Sequence, residues 1–323
     1  MLALTEITSW HYGGFIAVVL VFLALDLGLF HRRPHVVQFR EALFWSFIWF
    51  SAALLFGALL LPYRGAEESL EFLTGYIIEL SLSMDNIFAI ALIFAFFRVP
   101  AIYQHRVLFW GIVGALVMRG AMIALGAALI QTFHWLLYAL GLFLIYTGIK
   151  MIAAENDSPD PEKNLFIRLA RRFFPISPEF DGQKFITRFN GQRTLTPLAL
   201  VLVMVETTDL IFAVDSIPAI FAVTEKPFLI FTSNVFAILG LRSLYFVLLN
   251  ALGYFRYLKV GLSIVLVFIG AKMFFGLNPH AESQPWYRIH VSTAISLGAV
   301  IGILVASIIA SIISARWNRD KKP

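Results

Sequence analysis

The sequence predicts an all-α, polytopic membrane protein with about nine transmembrane helices and a 3+3 inverted repeat at its centre. Three observations predict this fold. Hydrophobic residues make up 59% of the chain, well above their share in soluble domains. They are gathered into stretches of the roughly 20 residues that cross a bilayer. The loops between these stretches alternate between basic and nearly uncharged, as expected for a membrane topology.

The predicted spans follow one another with short connections and one long loop. They lie at 13–30, 42–62, 73–97, 107–130, 134–153, 197–223, 229–250, 257–276 and 288–314. The chain then divides into the first two spans (1–62), a first three-helix repeat (73–153), a loop (154–196), a second three-helix repeat (197–276), and a last span with a basic tail (288–323).

Basic residues are distributed unequally between the two sides of this topology. One side carries 18 Lys and Arg residues, in the loops near 31–41, 98–106, 154–196 and 251–259 and in the tail after 314. The opposite side has only Arg64, Lys226 and Arg288. Because cytoplasmic loops are the ones rich in Lys and Arg, we expect the N-terminus outside and the C-terminus in the cytoplasm, which requires an odd number of spans.

The chain repeats itself at a nearly constant offset. SMDNIFAIALI (83–93) matches TTDLIFAVDSI (207–217), Arg119 falls near Arg242, and Gly148–Met151 matches Gly270–Met273. Each copy holds three spans, an odd number, so the second copy is expected to be inverted in the membrane. Inverted repeats are typical of alternating-access carriers, which bind substrate near the midplane where the copies meet.

The long loop has a local structure of its own. We expect a small amphipathic helix near 164–174, followed by a β-hairpin whose strands, Lys184–Phe189 and Gln192–Thr196, flank the turn-forming Asn190-Gly191. The loop is either a solvated connector or a docking site for a cytoplasmic or membrane protein partner.

Composition excludes several classes of function. The absence of cysteine excludes disulfides, thiolate metal sites and zinc fingers. The net charge of +5 follows the bilayer and does not indicate nucleic acid as a partner. The N-terminus has no Lys or Arg, so we expect no cleaved signal peptide. No organic cofactor is expected. We also expect no enzyme, because the chain has neither the His-Glu-x-x-His pair of metalloproteases nor the Gly-x-Gly-Asp setting of membrane aspartyl proteases.

Acidic residues inside the predicted spans are the main functional signal. Six carboxylates lie within the predicted spans, and only two arginines, Arg119 and Arg242, lie deep enough to offset them. The six are Asp26, Glu79, Asp85, Glu206, Asp209 and Asp215. A charged carboxylate at the bilayer centre costs at least ~2.5 kcal/mol. Some of the six are therefore expected to be protonated unless a cation lies among them. Asp26 is near the end of its span, where it could equally anchor the helix at the interface.

Helical geometry sorts these acids. At ~100° per residue, Glu79 and Asn86 share one stripe, and Glu206 and Asp209 share another. Asp85 and Asp215 fall on other faces. An ideal straight helix therefore cannot direct all of the acids to one point.

A proline in the second repeat bears on this arrangement. Pro218 is expected to kink or break its helix, which would expose carbonyl oxygens and could return Asp215 to the other acids. Asp85 and Asp209 are equivalent under the repeat, so they should lie at similar depth. A structural alternative is pairing with arginine, for example Asp85 with Arg242.

The available ligand types favour a hard cation. Only oxygen ligands are expected within the membrane, because the histidines lie mostly at the ends of spans. Carboxylate, amide and carbonyl oxygens suit Mn²⁺, Ca²⁺ or Mg²⁺, whereas zinc and copper prefer His or Cys. We expect Asp85, Asp209, Glu79, Glu206 and Asn86 to be the metal ligands. Asp215 and Asp26 are assigned to proton coupling or a second site.

Four segments resemble the TerC family over nearly the whole chain. They are ALDLGLFHRRPHVV (24–37), ELSLSMDNIF (79–88), ETTDLIFAVDSIPAI (206–220) and TSNVFAILGLRSLYF (232–246). The resemblance, to its bacterial Alx-like branch, implies an inner-membrane protein related to LysE-type exporters, with manganese export and an association with tellurite resistance. It also places the family's acidic membrane positions on the six acids named above.

Two functions follow as expectations. The first is a divalent cation exporter, with Mn²⁺ moved outward by alternating access and possible exchange for protons. The second is a membrane scaffold that assists insertion or metallation of other proteins without transport. The sequence indicates no oligomeric state.

Overall fold

The computed structural model describes residues 8–25, 37–153, 165–189, 191–249, 257–276 and 292–320. Its elements are the helices α1 (Ser9–Leu25), α2 (Phe39–Phe96), α3 (Ala101–Thr132), α4 (Leu136–Ala153), α5 (Leu165–Phe173), α6 (Pro197–Phe221), α7 (Pro227–Leu249), α8 (Leu258–Gly276) and α9 (Thr293–Asp320), and the strands β1 (Ile186–Phe189) and β2 (Gln192–Leu195). Each of the nine predicted spans overlaps a helix, and the all-α membrane fold is confirmed. Asp26 lies outside the described residues.

Among the described residues, five helical segments are long and apolar enough to cross a membrane. They are Phe39–Phe96, Ala101–Thr132, Pro197–Phe221, Pro227–Leu249 and Thr293–Ser314. Trp10–Leu23 and Leu136–Ile152 are shorter apolar segments. Many large apolar side chains on the long helices are exposed, as expected for surfaces that face lipid.

Helix α2 doubles back on itself and contains two predicted spans. The Phe56 and Phe72 rings lie 4.9 Å apart, although a straight helix would separate these residues by about 24 Å at about 1.5 Å per residue. Ser69 also donates a hydrogen bond of 2.8 Å to the Gly57 carbonyl. The corner is Gly65, whose φ of 87° lies in the left-handed region that glycine adopts without strain.

Helix α6 runs unbroken through Pro218, so the predicted break is wrong. The Pro218 carbonyl accepts a hydrogen bond from the Ala222 N–H at 3.1 Å, which continues the helical pattern. A proline removes one backbone donor, and packing against neighbouring helices can tolerate that loss in a membrane. Pro218 is buried, and it lies within one turn of the end of α6 at Phe221.

The α4–α6 connection contains a small antiparallel hairpin. Strands β1 and β2 pair from Ile186 with Leu195 to Phe189 with Gln192. Gly191 has a φ of 80°, which matches its place in the predicted tight turn. The preceding helix α5 packs on α6. Ile167 of α5 joins an apolar cluster at the start of α6, whereas the buried charged residues described below lie on the long helices.

The central helices pack across the two predicted repeats. Helix α2 packs on α7, α3 packs on α6 and α7, and α4 packs on α8. The α4–α8 contact is very close, because a Cβ on Gly270 would lie 2.6 Å from the Gly141 carbonyl oxygen. Backbones approach this closely in membranes when small residues line the interface.

Candidate intramembrane charged site

A buried arginine occupies the centre of the bundle. Arg119 on α3 is 1% exposed and forms ion pairs with Glu79 on α2, which is fully buried, and with Asp209 on α6. Its Nε and Nη2 donate to the two Asp209 carboxylate oxygens at 3.1 and 2.9 Å. This bidentate geometry is the strongest that an arginine forms with a carboxylate. Three helices are thereby joined through one cation.

Asn86 completes the contacts of Asp209. Its Nδ2 donates to Asp209 Oδ1 at 3.2 Å. Asn86 lies two turns after Glu79 on α2, on the stripe that the sequence predicts for the pair. The Arg119 Nη1 also contacts the Ser216 hydroxyl at 3.4 Å. Asp209, in the second predicted repeat, therefore accepts hydrogen bonds from two helices of the first repeat.

A small cavity lies against this arginine. Its volume is about 40 Å³, and it is lined by Glu79, Leu82, Asp85, Asn86, Arg119, Met151, Phe212, Asp215, Ser216 and Leu266. A cavity needs about 10–15 Å³ to hold one water molecule. The space is therefore sufficient for a small cation or for water, and most of its polar lining comes from carboxylates and amides.

The cavity unites acids that the helical stripes separate. Asp85 and Asp215 lie on different helical faces from Glu79 and Asp209, yet both line the cavity, and Glu79 and Asn86 line it as well. Thr147 on α4 lies 3.4 Å from Asp215 and donates its hydroxyl hydrogen bond to it. Asp215 reaches the cavity from an intact helix, so the proposed unwinding is not needed.

Glu206 lies one turn before Asp209 and occupies a notch beside α3. A Cβ built on Gly114 would overlap the Glu206 carboxylate, so the absence of a side chain at Gly114 makes room for the acid. Within the described residues, Glu206 Oε2 is buried and makes no hydrogen bond. A buried acceptor of this kind costs about 1–3 kcal/mol unless something satisfies it.

Three more buried oxygens, all on α2, share this property. Considering only the part of the chain that the structure describes, no hydrogen-bond donor reaches Glu79 Oε2, Ser83 Oγ or Asn86 Oδ1. Carboxylate, hydroxyl and amide oxygens are the ligands that hard divalent cations take. These residues could therefore contribute to a cation site, although no three His, Asp or Glu residues of the described ranges are grouped closely enough to hold a metal.

The predicted residues thus divide into three groups. Glu79 and Asp209 pair with Arg119, and Asn86 is bonded to Asp209. Asp85 and Asp215 line the adjoining cavity, and Glu206 lies beside Gly114. Arg242 is buried within α7. The sequence reasoning missed Thr147, which precedes the Gly148–Met151 repeat motif and could have been found from that position.

A second ionic cluster joins the α2 corner to the α6–α7 loop. Lys226 Nζ lies 3.3 Å from Glu68 Oε1 and 3.2 Å from Glu71 Oε2. Arg64 also pairs with Glu68 at 2.7 Å, and the Thr224 hydroxyl donates to Glu71 at 2.8 Å. Partial burial lowers the pKa of Lys226, but attraction to Glu71 and Glu68 outweighs it and raises the pKa above its ordinary value.

Comparison with known proteins gives one family and several close relatives. A sequence profile described as "Integral membrane protein TerC family" matches residues 64–319. A membrane protein of Myxococcus xanthus, uncharacterized and named STKORF319, is 52% identical over 305 residues, covering 94% of this chain and 92% of that protein. The Alx protein of Escherichia coli K12, whose name describes a proposed membrane-bound redox modulator, is 45% identical over 96% of both chains.

A further relative is an uncharacterized membrane protein of Rickettsia felis. It is 41% identical over 299 residues, which cover 93% of this chain and 96% of that protein. No solved structure matches the chain.

Proposed function

Because this chain belongs to the TerC family of integral membrane proteins, we propose that it exports a divalent cation, Mn²⁺ in the first place, across the bacterial inner membrane. The ion is moved outward by alternating access in exchange for protons. The observation that carries the proposal is the buried charged site, in which acids from both predicted repeats meet beside a cavity.

Arg119 has a defined role in this proposal. It is an internal cation that pairs with both Glu79 and Asp209 and offsets one of their two negative charges when no cargo is present. An entering divalent cation competes with Arg119 for Asp209 and takes further oxygens from Asn86, Glu79 and Glu206. When the cargo leaves, Arg119 pairs with both acids again, so neither faces a low-dielectric environment without a positive partner.

Asp85 and Asp215 are assigned to the movement of ions and protons through the cavity. Both line it, whereas Arg119 pairs with Glu79 and Asp209. Asp215 can be protonated and deprotonated while Thr147 holds its carboxylate in place. This assignment gives protons a route that does not require breaking the Arg119 pairs.

Reciprocal contacts support the inverted repeat on which alternating access depends. The offset of 122 relates Gly148 to Gly270 and Gly141 to Ser263. A Cβ on Gly148 would lie 2.8 Å from the Ser263 carbonyl oxygen, and one on Gly270 would lie 2.6 Å from that of Gly141. Exchanging the two copies converts one contact into the other, as a pseudo-twofold axis between α4 and α8 requires.

The second ionic cluster supports a barrier on one side of the membrane. Lys226 with Glu68 and Glu71 ties the α2 corner to the α6–α7 loop, on the side that has few basic residues. The positive-inside rule assigns this side to the exterior. The arrangement therefore fits a state that is closed toward the outside.

The choice of Mn²⁺ combines ligand chemistry with the family. Oxygen ligands suit Mn²⁺, Ca²⁺ and Mg²⁺ alike, and the resemblance to exporters favours manganese. The redox role named for the Escherichia coli relative cannot be thiol exchange in this chain, which has no cysteine. Control of a redox-active metal ion would connect the two descriptions.

Transport by purified protein tests the proposal. We expect inside-out proteoliposomes to accumulate Mn²⁺ when a proton gradient is imposed, and the variants Asp209→Asn and Asp85→Asn to lose this uptake. Asp181→Asn makes the same chemical change in the exposed connection near the hairpin and should transport like the parent.

Two outcomes contradict the assignment in different ways. Uptake that survives in Asp209→Asn and Asp85→Asn would keep the function but remove these residues from the path. No uptake by folded, correctly oriented parent protein would overturn the exporter and favour the scaffold.

A further inference from the structure

Helix α5 is short, basic and amphipathic. Its sequence, LFIRLARRF, contains three arginines and no acid. At about 100° per residue, Leu165, Leu169 and Phe173 fall within an arc of about 80°. Arg168 and Arg172 are on the adjoining arc. Such a separation of basic and apolar faces is typical of helices that lie in the membrane interface.

The helix is attached to the bundle at the level where a long helix begins. Ile167 is 1% exposed and belongs to the same apolar cluster as Leu198 and Val201, in the first two turns of α6. Val99, in the α2–α3 connection, belongs to this cluster too. The packing therefore holds α5 at the end of the long helices, on the side of the molecule where the basic loops lie.

The remaining apolar face is not used by the described part of the bundle. Leu165 is 56% exposed, Leu169 39% and Phe173 69%, whereas Ile167 points inward. Phe174, directly after α5, is 55% exposed. A group of large exposed apolar side chains typically marks an interaction site with a protein or a membrane. This group lies next to the bilayer surface.

We propose that α5 is a membrane-surface anchor that binds the anionic phospholipid headgroups of the adjacent leaflet. Leu165, Leu169 and Phe173 enter the boundary between headgroups and acyl chains, and Arg168 and Arg172 contact lipid phosphates. Charge complementarity and position together identify the occupant, because the surface is basic and lies where a bilayer begins. The inference does not depend on transport.

The lack of cysteine makes a direct test possible. A single cysteine introduced by Leu169→Cys can be spin-labelled in the full-length protein in nanodiscs, and its collisions with oxygen and with a water-soluble nickel chelate can be compared. Lys184→Cys, on an exposed side chain before the hairpin, is the matched control. Discs of phosphatidylcholine alone and discs that also contain phosphatidylglycerol separate apolar insertion from headgroup binding.

We expect the label at 169 to lose nickel contact and gain oxygen contact in the phosphatidylglycerol discs, while the label at 184 stays in water. Adding Arg168→Glu and Arg172→Glu should reverse this shift. A label at 169 as accessible to nickel as the control would overturn the proposal. Loss of both collision partners would instead indicate a protein surface covering α5, and equal insertion without phosphatidylglycerol would refute the role of anionic headgroups.

Discussion

Arg119→Gln is the substitution that tests the charged site most directly. It removes the cation that pairs with Glu79 and Asp209, whose side chains are 0% and 13% exposed. Removing one partner of a buried ion pair typically destabilises a protein by about 3–5 kcal/mol, because the remaining charge stays buried without compensation. Two carboxylates lose their partner here, so we expect a cost near the upper end of that range.

The assay is unfolding by SDS in mixed micelles, followed by circular dichroism. The double variant Arg119→Gln with Asp209→Asn should be more stable than the sum of the single variants predicts, with a coupling of about 0.5–3 kcal/mol for groups in direct contact. Arg188→Gln, on the exposed face of β1, is the control and should change stability by about 0.5 kcal/mol or less.

Two results would refute this reasoning. A cost below about 1 kcal/mol for Arg119→Gln would show that water or a rearranged neighbour satisfies both carboxylates, since loss of a single ordinary hydrogen bond has that magnitude. Strict additivity in the double variant would show that Arg119 and Asp209 do not interact. Either result would also remove Arg119 from its proposed role as internal counter-cation.

Three further predictions concern other features of the bundle. Gly114→Ala should abolish most Mn²⁺ uptake by proteoliposomes, because the new methyl group overlaps the Glu206 carboxylate. Gly270→Ala should lower stability in SDS titrations by about 1–3 kcal/mol, the typical cost of overpacking, because its Cβ would meet the Gly141 carbonyl at 2.6 Å. Lys226→Gln should destabilise the protein near neutral pH, and this difference should shrink as alkaline pH titrates the parent's lysine.

The sign of the last effect follows from the direction of the pKa shift. The pKa of Lys226 in the folded protein is raised above its ordinary value of 10.5 by Glu71 and Glu68, after the opposing effect of burial. Its contribution to stability is therefore complete below the ordinary pKa and is lost as pH rises through the folded pKa. A difference between parent and variant that is independent of pH up to strongly alkaline conditions would contradict it.

Two further glycines serve as matched controls for the variants Gly114→Ala and Gly270→Ala. A Cβ on Gly120 would meet Phe231 at 3.4 Å, an ordinary contact, and one on Gly298 would meet nothing within 4 Å. Gly120→Ala should transport like the parent, and Gly298→Ala should unfold like it. If Gly120→Ala also abolished uptake, crowding of Glu206 would no longer explain the Gly114 variant. If Gly270→Ala and Gly298→Ala lost similar stability, the loss would come from replacing a helical glycine, and overpacking against Gly141 would no longer explain it.

The helices were predictable because they depend on local composition. Apolar stretches of sufficient length can satisfy their backbone in a membrane only as helices, and the Asn190-Gly191 dipeptide indicated the hairpin. For the reversal within α2, the sequence predicts only a loop between the spans 42–62 and 73–97. In the structure the chain turns at a single glycine, Gly65, and is helical on both sides of it. Pro218 shows the opposite error, since a local rule for proline was overridden by packing.

The charged site was predictable in its members and not in its pairings. The excess of acids over deep arginines can be counted from the sequence. Which acid Arg119 binds depends on how α2, α3 and α6 pack, and those contacts span 40 and 90 residues of chain. The cavity lined by both Asp85 and Asp215 is also a property of packing. The two acids lie on different helices, and the periodicity of one helix does not show which face of the other it meets.

The spacing of these partners along the chain has a consequence for synthesis. Glu79 and Arg119 are 40 residues apart and lie on successive helices, so they can neutralise each other soon after both leave the ribosome. Asp209 follows Arg119 by 90 residues, a delay of about 5–18 s at about 5–20 residues per second. The first ion pair therefore forms before α6 is made and offers the later acid a partner already in the membrane. The order of these residues in the chain therefore sets the order in which their charges are paired during membrane insertion.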